Sequence, residues 1–404
     1  MPSLRTLWTA VRRRIWFRTA LFSVAGFLTA LAAAVIGPLL PYDVQNAIDA
    51  GDVEDVLAIL TSSMLAVTTF SVTIMLSAMA GATSNATPRA TSLIMEDSTT
   101  QNVLATFLGA FLFAVVGIIA LKTGIYGASG RVVLFASAIL VILWVAITLL
   151  RWVDHLSTFG RMSDIVDRIE AKTCTAIAGW RAEPWLGGIA AVPVPAGALR
   201  LCRPDIGHIR SIDVPALSAL ADASGATIHI LARPGAFIHP ARAVLAIEGD
   251  IDPDKALNCI VIGHDRSFEQ DPRFGLIVLA EVGSRALSPA INDPGTVYRV
   301  LGAGLRTLAG MDASATAEPP EDRCRNVHVP TLDPAVCVDD FFVALLPDLA
   351  PHAPLVLRAN KSLDTLALLV PAMAGPVSRL KAELDARATA ENRFPPDLAR
   401  MRSC

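Results

Sequence analysis

The sequence predicts an α-helical transmembrane N-terminal half with four spans, followed by an α+β cytoplasmic C-terminal half. Two observations predict this division. Residues 19–150 contain four long runs without Asp or Glu, separated by short charged breaks. After Arg151 the composition becomes that of a soluble domain, so the overall values of 53% hydrophobic and 18% charged residues average two unlike parts.

The four apolar runs are long enough to cross a bilayer. A helix needs about 20 apolar residues to span ~30 Å of hydrocarbon. We predict a basic tail at 1–18 and a transmembrane domain at 19–151, with spans at about 19–40, 57–82, 103–121 and 132–150. An alternative treats the first run as a cleaved signal peptide. We favour a retained helix, because the run exceeds the usual apolar core of ~7–15 residues and further spans follow.

Charge in the short loops predicts the orientation. The tail 1–18 is rich in Arg and has no acid, whereas the loop 41–56 has several acids and no Lys or Arg. The positive-inside rule therefore places both termini in the cytoplasm, in a bacterial inner membrane. All six cysteines lie at or beyond Cys174, and none forms a C-x-x-C pair. Scattered single cysteines fit a reducing compartment.

The second span carries a stripe of small and hydroxyl side chains. At 100° per residue, one narrow face holds Ser62, Ala66, Thr69, Thr73, Ser77, Ala80 and Ser84. One interpretation is a helix-packing face, and the frequency of small residues at such interfaces favours it. The other is a polar wall that lines a water-filled pathway. Four helices enclose little space, so a pathway requires a homo-oligomer. The spans carry no deeply placed ionisable residue, which argues against a proton relay.

For the C-terminal half, the sequence predicts a connecting helix at 152–183 and a small β-barrel or sandwich at 184–250. It predicts a helical and mixed region at 251–393 and a frayed end at 394–404. Short runs bounded by Gly and Pro predict strands at 189–194, 198–203, 208–214, 227–232, 243–247 and 326–329. A short helix is expected at 215–223. The stretch 312–322 is predicted to be a weakly ordered linker.

Four Asp-Pro pairs predict helix starts. Asp252, Asp271, Asp293 and Asp333 each precede a proline, which places a capping side chain before a proline at the first helical position. Helices are predicted from 272 to about 289, from 294 to about 311, and around 335–349, 355–370 and 377–392.

The densest polar cluster of the tail surrounds two of these pairs and consists of Arg273, Arg285, Asn292 and Asp293. One interpretation is a ligand or oligomer contact at a helix N-terminus, which would suit an anion or metabolite. The other is a capped helix–loop–helix junction held by an Arg–Asp bridge. The frequency of such caps favours the junction.

Several segments carry a family resemblance. They are 271–275 (DPRFG), 284–294 (SRALSPAINDP), 62–64 (SSM) and 87–89 (TPR). With them the chain resembles, over nearly its whole length, a bacterial family of predicted membrane proteins known as domain of unknown function 2254. The resemblance implies a multi-span N-terminal half and a soluble C-terminal half. It implies no reaction, substrate or ligand.

Other chemistry is not indicated. The sequence has no phosphate-binding loop, H-E-x-x-H or G-x-S-x-G motif, and its net charge of −3 does not favour nucleic acid. We therefore predict no catalytic, cofactor-binding or metal-binding residue. The expected partners are the lipid bilayer, further copies of the chain, and an ion or small molecule. The first hypothesis is a homo-oligomeric channel or transport-type protein with a cytoplasmic regulatory domain. The alternative is a membrane-anchored sensor or scaffold that binds a small ligand or protein partner.

Overall fold

A computed structural model describes residues 24, 28, 49–90, 97–124, 128–312, 324–392 and 394–402. The chain divides into two compact units. The membrane unit comes from Ser3–Ser84 and Thr91–Arg161, and the C-terminal unit takes Asn85–Ala90 and Met162–Cys404. The predicted basic tail lies outside the described residues, as does the first span apart from two isolated positions.

Three helices form the described membrane unit: α1 (Ala50–Asn85), α2 (Ser98–Lys122) and α3 (Ala128–Thr158). Each contains a stretch long and apolar enough to cross a membrane: Ala50–Gly81, Thr99–Lys122 and Gly130–Ser157. These stretches match the predicted second, third and fourth spans. The prediction of an apolar helical N-terminal half is thereby confirmed for the described residues.

Helix α2 forms the centre of this unit. Over half of its apolar window is buried (56%), against 17% for α1 and for α3. Phe107 and Phe113 of α2 belong to one buried cluster with Leu57 of α1 and Leu134 of α3. The outer surfaces of α1 and α3 expose large apolar side chains, including Phe70, Ile139, Leu140, Leu143, Trp144 and Leu150. A patch of this kind suits lipid rather than water.

Two helix boundaries differ from the prediction. Helix α1 begins at Ala50 rather than near 57, because acidic residues such as Asp52 are compatible with the positive end of a helix dipole. Helix α3 continues past Arg151 to Thr158. Gly160, in the left-handed region at φ 77°, follows its end. The predicted connecting helix 152–183 is therefore the last turns of α3 followed by a separate helix, α4 (Met162–Ala182).

The C-terminal unit contains two sheets. The strands are β1 (Ile189–Ala190), β2 (Leu199–Cys202), β3 (Gly207–Ile212), β4 (Thr227–Ile230), β5 (Phe237–Ile238), β6 (Ala243–Glu248), β7 (Ile260–Gly263) and β8 (Val327–Val329). One sheet has the order β1-β8-β4-β6-β2 and the other the order β5-β3-β7. Strand β8 runs parallel to β1 and β4, and the other pairs are antiparallel.

The two sheets and helix α5 (Val214–Ser224) share one core, in which Ile209, Leu217, Ile228 and Val327 are fully buried. The predicted mixture of strands and helices is confirmed. The predicted barrel is not, since the described strands form two separate sheets. The β-rich region also extends beyond residue 250, because β7 and β8 complete its sheets.

Helices make up the rest of the unit. They are α6 (Pro253–Asn258), α7 (Pro272–Ala286), α8 (Pro294–Ala309), α9 (Pro334–Phe342), α10 (Leu346–Leu349), α11 (Ala353–Leu369), α12 (Ala374–Glu391) and α13 (Pro395–Arg402). Helix α13 lies where the sequence predicts a frayed end. The predicted linker 312–322 lies outside the described residues apart from Asp312.

Three of the four Asp-Pro pairs form the predicted caps. Asp252, Asp293 and Asp333 each accept a hydrogen bond from a backbone N–H of the helix that follows. Asp271 precedes α7 but makes no such bond. Its carboxylate instead binds Arg266, with 2.7 Å between Nε and Oδ2. The capping prediction is wrong for this residue, because an arginine nearby in the chain takes the carboxylate.

Helix α7 lies at the centre of the helical part, packed against α4, α8 and α9. Two glycines allow close helix approaches. A Cβ on Gly275 of α7 would lie 1.9 Å from Oγ1 of Thr173 in α4. A Cβ on Gly304 of α8 would lie 2.1 Å from the ring of Phe341 in α9. Both distances are far below van der Waals contact, so these crossings require glycine.

Candidate functional site

The hydroxyl stripe lies on the outer surface of α1. Ser62, Thr69, Thr73 and Ser77 are all exposed. The opposite face, which includes Leu57, Leu60 and Met64, is buried in the unit's apolar cluster. The stripe therefore does not pack against α2 or α3 of its own chain. Ser84 lies in the last turn of α1, and its side chain is outside the described part.

Three hydroxyl groups of the stripe use their hydrogens in bonds within the helix. Ser62 donates to the carbonyl of Ala58 at 3.1 Å, Thr69 to Leu65 at 2.9 Å, and Thr73 to Thr69 at 2.9 Å. A hydroxyl that donates in this way still has lone pairs available as acceptors. The stripe consequently offers electron-rich oxygens, which suit a cation, a water molecule or a hydrogen-bond donor.

The stripe continues into an acid of the predicted loop 41–56. Asp55 lies seven positions before Ser62, as Ser62 lies before Thr69, so the three share one face of α1. Asp55 is exposed, as are Asp49 and Asp52 near the same helix end. The heptad spacing is present in the sequence, but the predicted span begins at 57, so the acid falls within the predicted loop.

A second polar group joins the first turn of α2 to the last turns of α3. Oδ2 of Asp97 accepts from the backbone N–H of Thr100 at 2.7 Å and from its hydroxyl at 2.6 Å. Nε2 of His155 lies 3.0 Å from the same oxygen. Asp97 is 7% exposed and His155 packs between Trp152 and Phe159. Asp97 is thus a helix cap that also links two spans.

The predicted polar cluster of the C-terminal unit is resolved into separate contacts. Arg273 binds Asp340 of α9 with two bonds, Nε to Oδ2 at 2.5 Å and Nη2 to Oδ1 at 3.0 Å. Asp293 caps α8 by accepting from the backbone N–H of Thr296 at 3.2 Å and from its hydroxyl at 2.6 Å. These bonds hold the pKa of Asp293 below its usual value, the hydroxyl of Thr296 being the largest cause.

The loop between α7 and α8 is shaped by its own backbone. Asn292 has φ 48°, a left-handed conformation that Asn tolerates better than most residues. The N–H of Asp293 donates to the carbonyl of Ala286 at 2.8 Å. Arg285 lies in the last turn of α7. The arrangement resembles the predicted capped junction, with Arg273 bridged to Asp340 on another helix rather than to the loop.

A buried polar group next to this junction was not predicted. Asp271 is 2% exposed, and burial raises its pKa despite the bond to Arg266. Burial likewise lowers the pKa of Arg233 to about 10. Nη1 of Arg233 donates to the carbonyls of Pro184 at 3.0 Å and Pro330 at 2.5 Å. The group combines residues far apart in sequence, so no local pattern signals it.

Within the described part of the chain, two buried atoms of this group have no hydrogen-bond partner, namely Oδ1 of Asp271 and Nη2 of Arg233. Burying a carboxylate oxygen and a guanidinium nitrogen without partners costs stability. Cys337 is fully buried nearby, and burial raises the pKa of its thiol to about 12. The thiol is therefore protonated at neutral pH and a poor nucleophile.

Metal-binding geometry does not occur within the described residues. No group of three or more His, Cys, Asp or Glu side chains there is arranged to hold a metal ion. The nearest arrangement is His229 and His328 on neighbouring strands. Their rings are stacked, with centroids 4.8 Å apart, and Nε2 of His229 lies 2.6 Å from Glu248. The five cysteines in this part of the chain are free.

Comparison with known proteins gives one family and several relatives. The model of the family described as "Predicted membrane protein (DUF2254)" matches residues 12–365. An uncharacterized protein of Mycobacterium bovis is 26% identical over 267 residues, which cover 62% of this chain and 51% of the relative. An uncharacterized protein of Mycobacterium tuberculosis H37Rv gives the same values. The chain thus spans about half the length of these curated relatives. No solved structure matches it.

Proposed function

The chain belongs to the DUF2254 family of predicted membrane proteins, and from this premise we propose that it is a subunit of a homo-oligomeric channel or transport-type protein. We place it in the bacterial inner membrane with both termini in the cytoplasm. The observation that carries the proposal is the outward position of the hydroxyls of α1. Thr69 and Thr73 face away from the buried cluster of their own unit.

The surroundings of the stripe support assembly. At 100° per residue, Leu65 and Leu76 flank the hydroxyls on one side and Ile59 and Phe70 on the other, and all four are exposed. A polar line between two apolar margins is suited to a contact in which neighbouring copies meet through the margins. The hydroxyls would then face a common axis.

The chemistry of the stripe supports a cation as the transported species. Its oxygens present lone pairs, because their hydrogens are bonded to backbone carbonyls. Exposed Asp52 and Asp55 at the start of α1 raise the local concentration of cations. The C-terminal unit would then regulate this pathway.

The second candidate function is a membrane-anchored sensor or scaffold. The buried group of Arg233, Arg266 and Asp271 favours it, since two of its polar atoms have no partner and a bound molecule would supply one. Neither candidate is an enzyme. Arg273 and Asp293 are engaged in a bridge and a cap, which supports a structural role for both.

Cysteine substitution tests the proposal. All native cysteines lie at or beyond Cys174 and can be replaced to give a cysteine-free background. Thr69→Cys and Thr73→Cys are introduced singly into the full chain in lipid vesicles. We expect oxidative cross-linking between copies, and loss of cation flux when a charged thiol reagent is added. Leu140→Cys on α3 is the control, being 68% exposed but on a different helix from the stripe, and it should show neither effect.

The outcomes separate the candidates. Cross-links without flux leave the stripe as a helix-packing face between copies. A monomer that shows neither cross-links nor flux contradicts the channel. In that case, loss of ligand or partner binding in Asp271→Asn would favour the sensor.

A further inference from the structure

The segment Asn85–Ala90 begins at the last residue of α1 and belongs to the C-terminal unit. Ala86 is 3% exposed and Ala90 is fully buried. Oγ1 of Thr87 accepts from the N–H of Ala90 at 3.3 Å, which caps a short helical turn that begins at Pro88. Buried side chains and a capped turn make this segment a fixed part of the C-terminal unit rather than a free loop.

An ion pair attaches the segment to α7. Arg89 binds Glu281, which lies in the second half of α7. The side chain of Glu281 is 27% exposed and that of Arg89 55%. The two residues lie 192 positions apart in the sequence, so the pair joins distant parts of the chain.

Helix α7 also contacts α4, the helix through which the chain enters the C-terminal unit after α3. Helix α4 follows α3 after Gly160 and packs tightly on α7, where Gly275 and Thr173 meet. Beyond residue 49 the chain passes from one unit to the other at 84/85, at 90/91 and at 161/162. At each of these passages the segment that belongs to the C-terminal unit, either Asn85–Ala90 or α4, contacts α7 within that unit.

We infer that α7 is a coupling helix. A displacement of α7 in the C-terminal unit moves Arg89 and the segment Asn85–Ala90, and so acts on the end of α1 through the chain itself. Ion pairs, packed side chains and rigid helices can carry coupling between distant sites. Arg89, Glu281 and α7 supply such a pair and such a helix. The inference goes beyond the proposed function, since a channel and a sensor both require such a link.

Hydrogen–deuterium exchange on the full chain in lipid nanodiscs tests this inference. The variants are Arg89→Glu, Glu281→Arg and the double reversal. Each single change places like charges together, so we expect about 2- to 5-fold faster exchange in residues 85–90, in keeping with a partly exposed ion pair. We expect a similar increase in the last turns of α1, residues 78–84. The double reversal should return both regions toward the native rates.

The control is Arg387→Glu, which breaks an exposed pair with Glu383 within α12. This change should leave hydrogen–deuterium exchange in residues 78–90 at the native rate. If it increased exchange there as much as Arg89→Glu does, the increase would reflect general destabilisation, and the inference would be overturned. Faster exchange confined to 85–90 would also overturn it, because the anchor would not restrain α1. Unchanged exchange in both single variants would show that the pair is no anchor. These readings do not depend on flux or on subunit number, so they stand apart from the test of the proposed function.

Discussion

Asp293 and Asp271 both precede a proline and a helix, but their carboxylates have different surroundings. Asp293 is partly exposed and receives two hydrogen bonds from Thr296, which lower its pKa. Asp271 is almost fully buried, and the loss of water around it raises its pKa. The same two-residue pattern therefore stabilises the fold in one place and costs stability in the other.

We expect replacement by Asn to give opposite pH dependences at the two positions. The lowered pKa of Asp293 means that its stabilisation is present above the ordinary Asp pKa of about 3.9 and is lost as pH falls. The free energy of unfolding of the native protein should therefore increase relative to that of Asp293→Asn as pH rises. The raised pKa of Asp271 reverses the sign, because its contribution is present below about pH 3.9 and is lost as pH rises. The native protein should lose stability relative to Asp271→Asn.

The measurement is urea unfolding of the detergent-solubilised chain between about pH 3 and pH 8, bracketing the ordinary Asp value. Asp293→Ala measures how much the cap stabilises the protein. At pH 7 we expect this change to lower the free energy of unfolding by about 1 kcal/mol, because the helix cap is lost. Parallel pH curves for the two Asn variants would contradict the assignment. A neutral Asp293→Ala that abolished binding of a small anion would favour a ligand role over a cap.

At the scale of elements, the helices of the C-terminal unit are held at fixed distances by a few close contacts. Helices α8 and α9 touch where Gly304 meets the fully buried ring of Phe341. Gly302, two residues earlier in α8, faces only the end of the Arg306 side chain, 3.3 Å from an added Cβ. The two glycines share a helix but differ in what surrounds them.

Replacement of each glycine by alanine separates packing from helix propensity. Gly304→Ala should destabilise the unit by about 1–3 kcal/mol, because the ring of Phe341 cannot move aside in a packed core. Gly302→Ala should be neutral or stabilise by up to about 1 kcal/mol through the higher helix propensity of Ala. Thermal unfolding followed by circular dichroism compares them. Equal midpoints for the two variants would show that α8 and α9 can shift apart.

Local signals predicted many elements, and long-range contacts account for what was missed. Asp213 and Gly225 bound the short helix α5 nearly where it was expected, because caps act on adjacent residues. Strand β5 has two residues, too few to show alternation, and its pairing depends on β3. The bridge from Arg273 to Asp340 joins residues 67 positions apart, and no spacing rule reaches that far. The residues of the polar cluster are visible in the sequence, whereas their contacts are visible only in the structure.

At the scale of the whole molecule, the membrane spans were predicted from hydropathy and their orientation from charge. Backbone groups in lipid must form hydrogen bonds within their own helix. A membrane-spanning helix such as the apolar stretch Ala50–Gly81 can therefore be predicted from hydropathy, without knowledge of how it packs. The orientation of the chain, by contrast, follows from charge counts alone. It remains a prediction, and thiol labelling can decide it.

Single cysteines in the cysteine-free background test the orientation. We expect Asp52→Cys to react with a membrane-impermeant reagent in intact cells, since acid-rich loops face outward. Thr87→Cys should react only after permeabilisation, because it follows the end of α1 and lies beside Arg89, on the side that the positive-inside rule places in the cytoplasm. Mass shift on a gel reports both. The reverse pattern would place the C-terminal unit outside the cell.

The position of β8 within its sheet affects how the protein folds during synthesis. Ile228 of β4 pairs with Val327 of β8, and β8 also pairs with Ile189–Ala190 of β1. The ribosome must therefore add α6, β7, α7 and α8 before the middle of the five-stranded sheet can close. Until then one edge of β4 is open, and open edges recruit other chains. Closing so long a loop is slow, so we expect this edge of β4 to stay open to other chains until synthesis has passed residue 329.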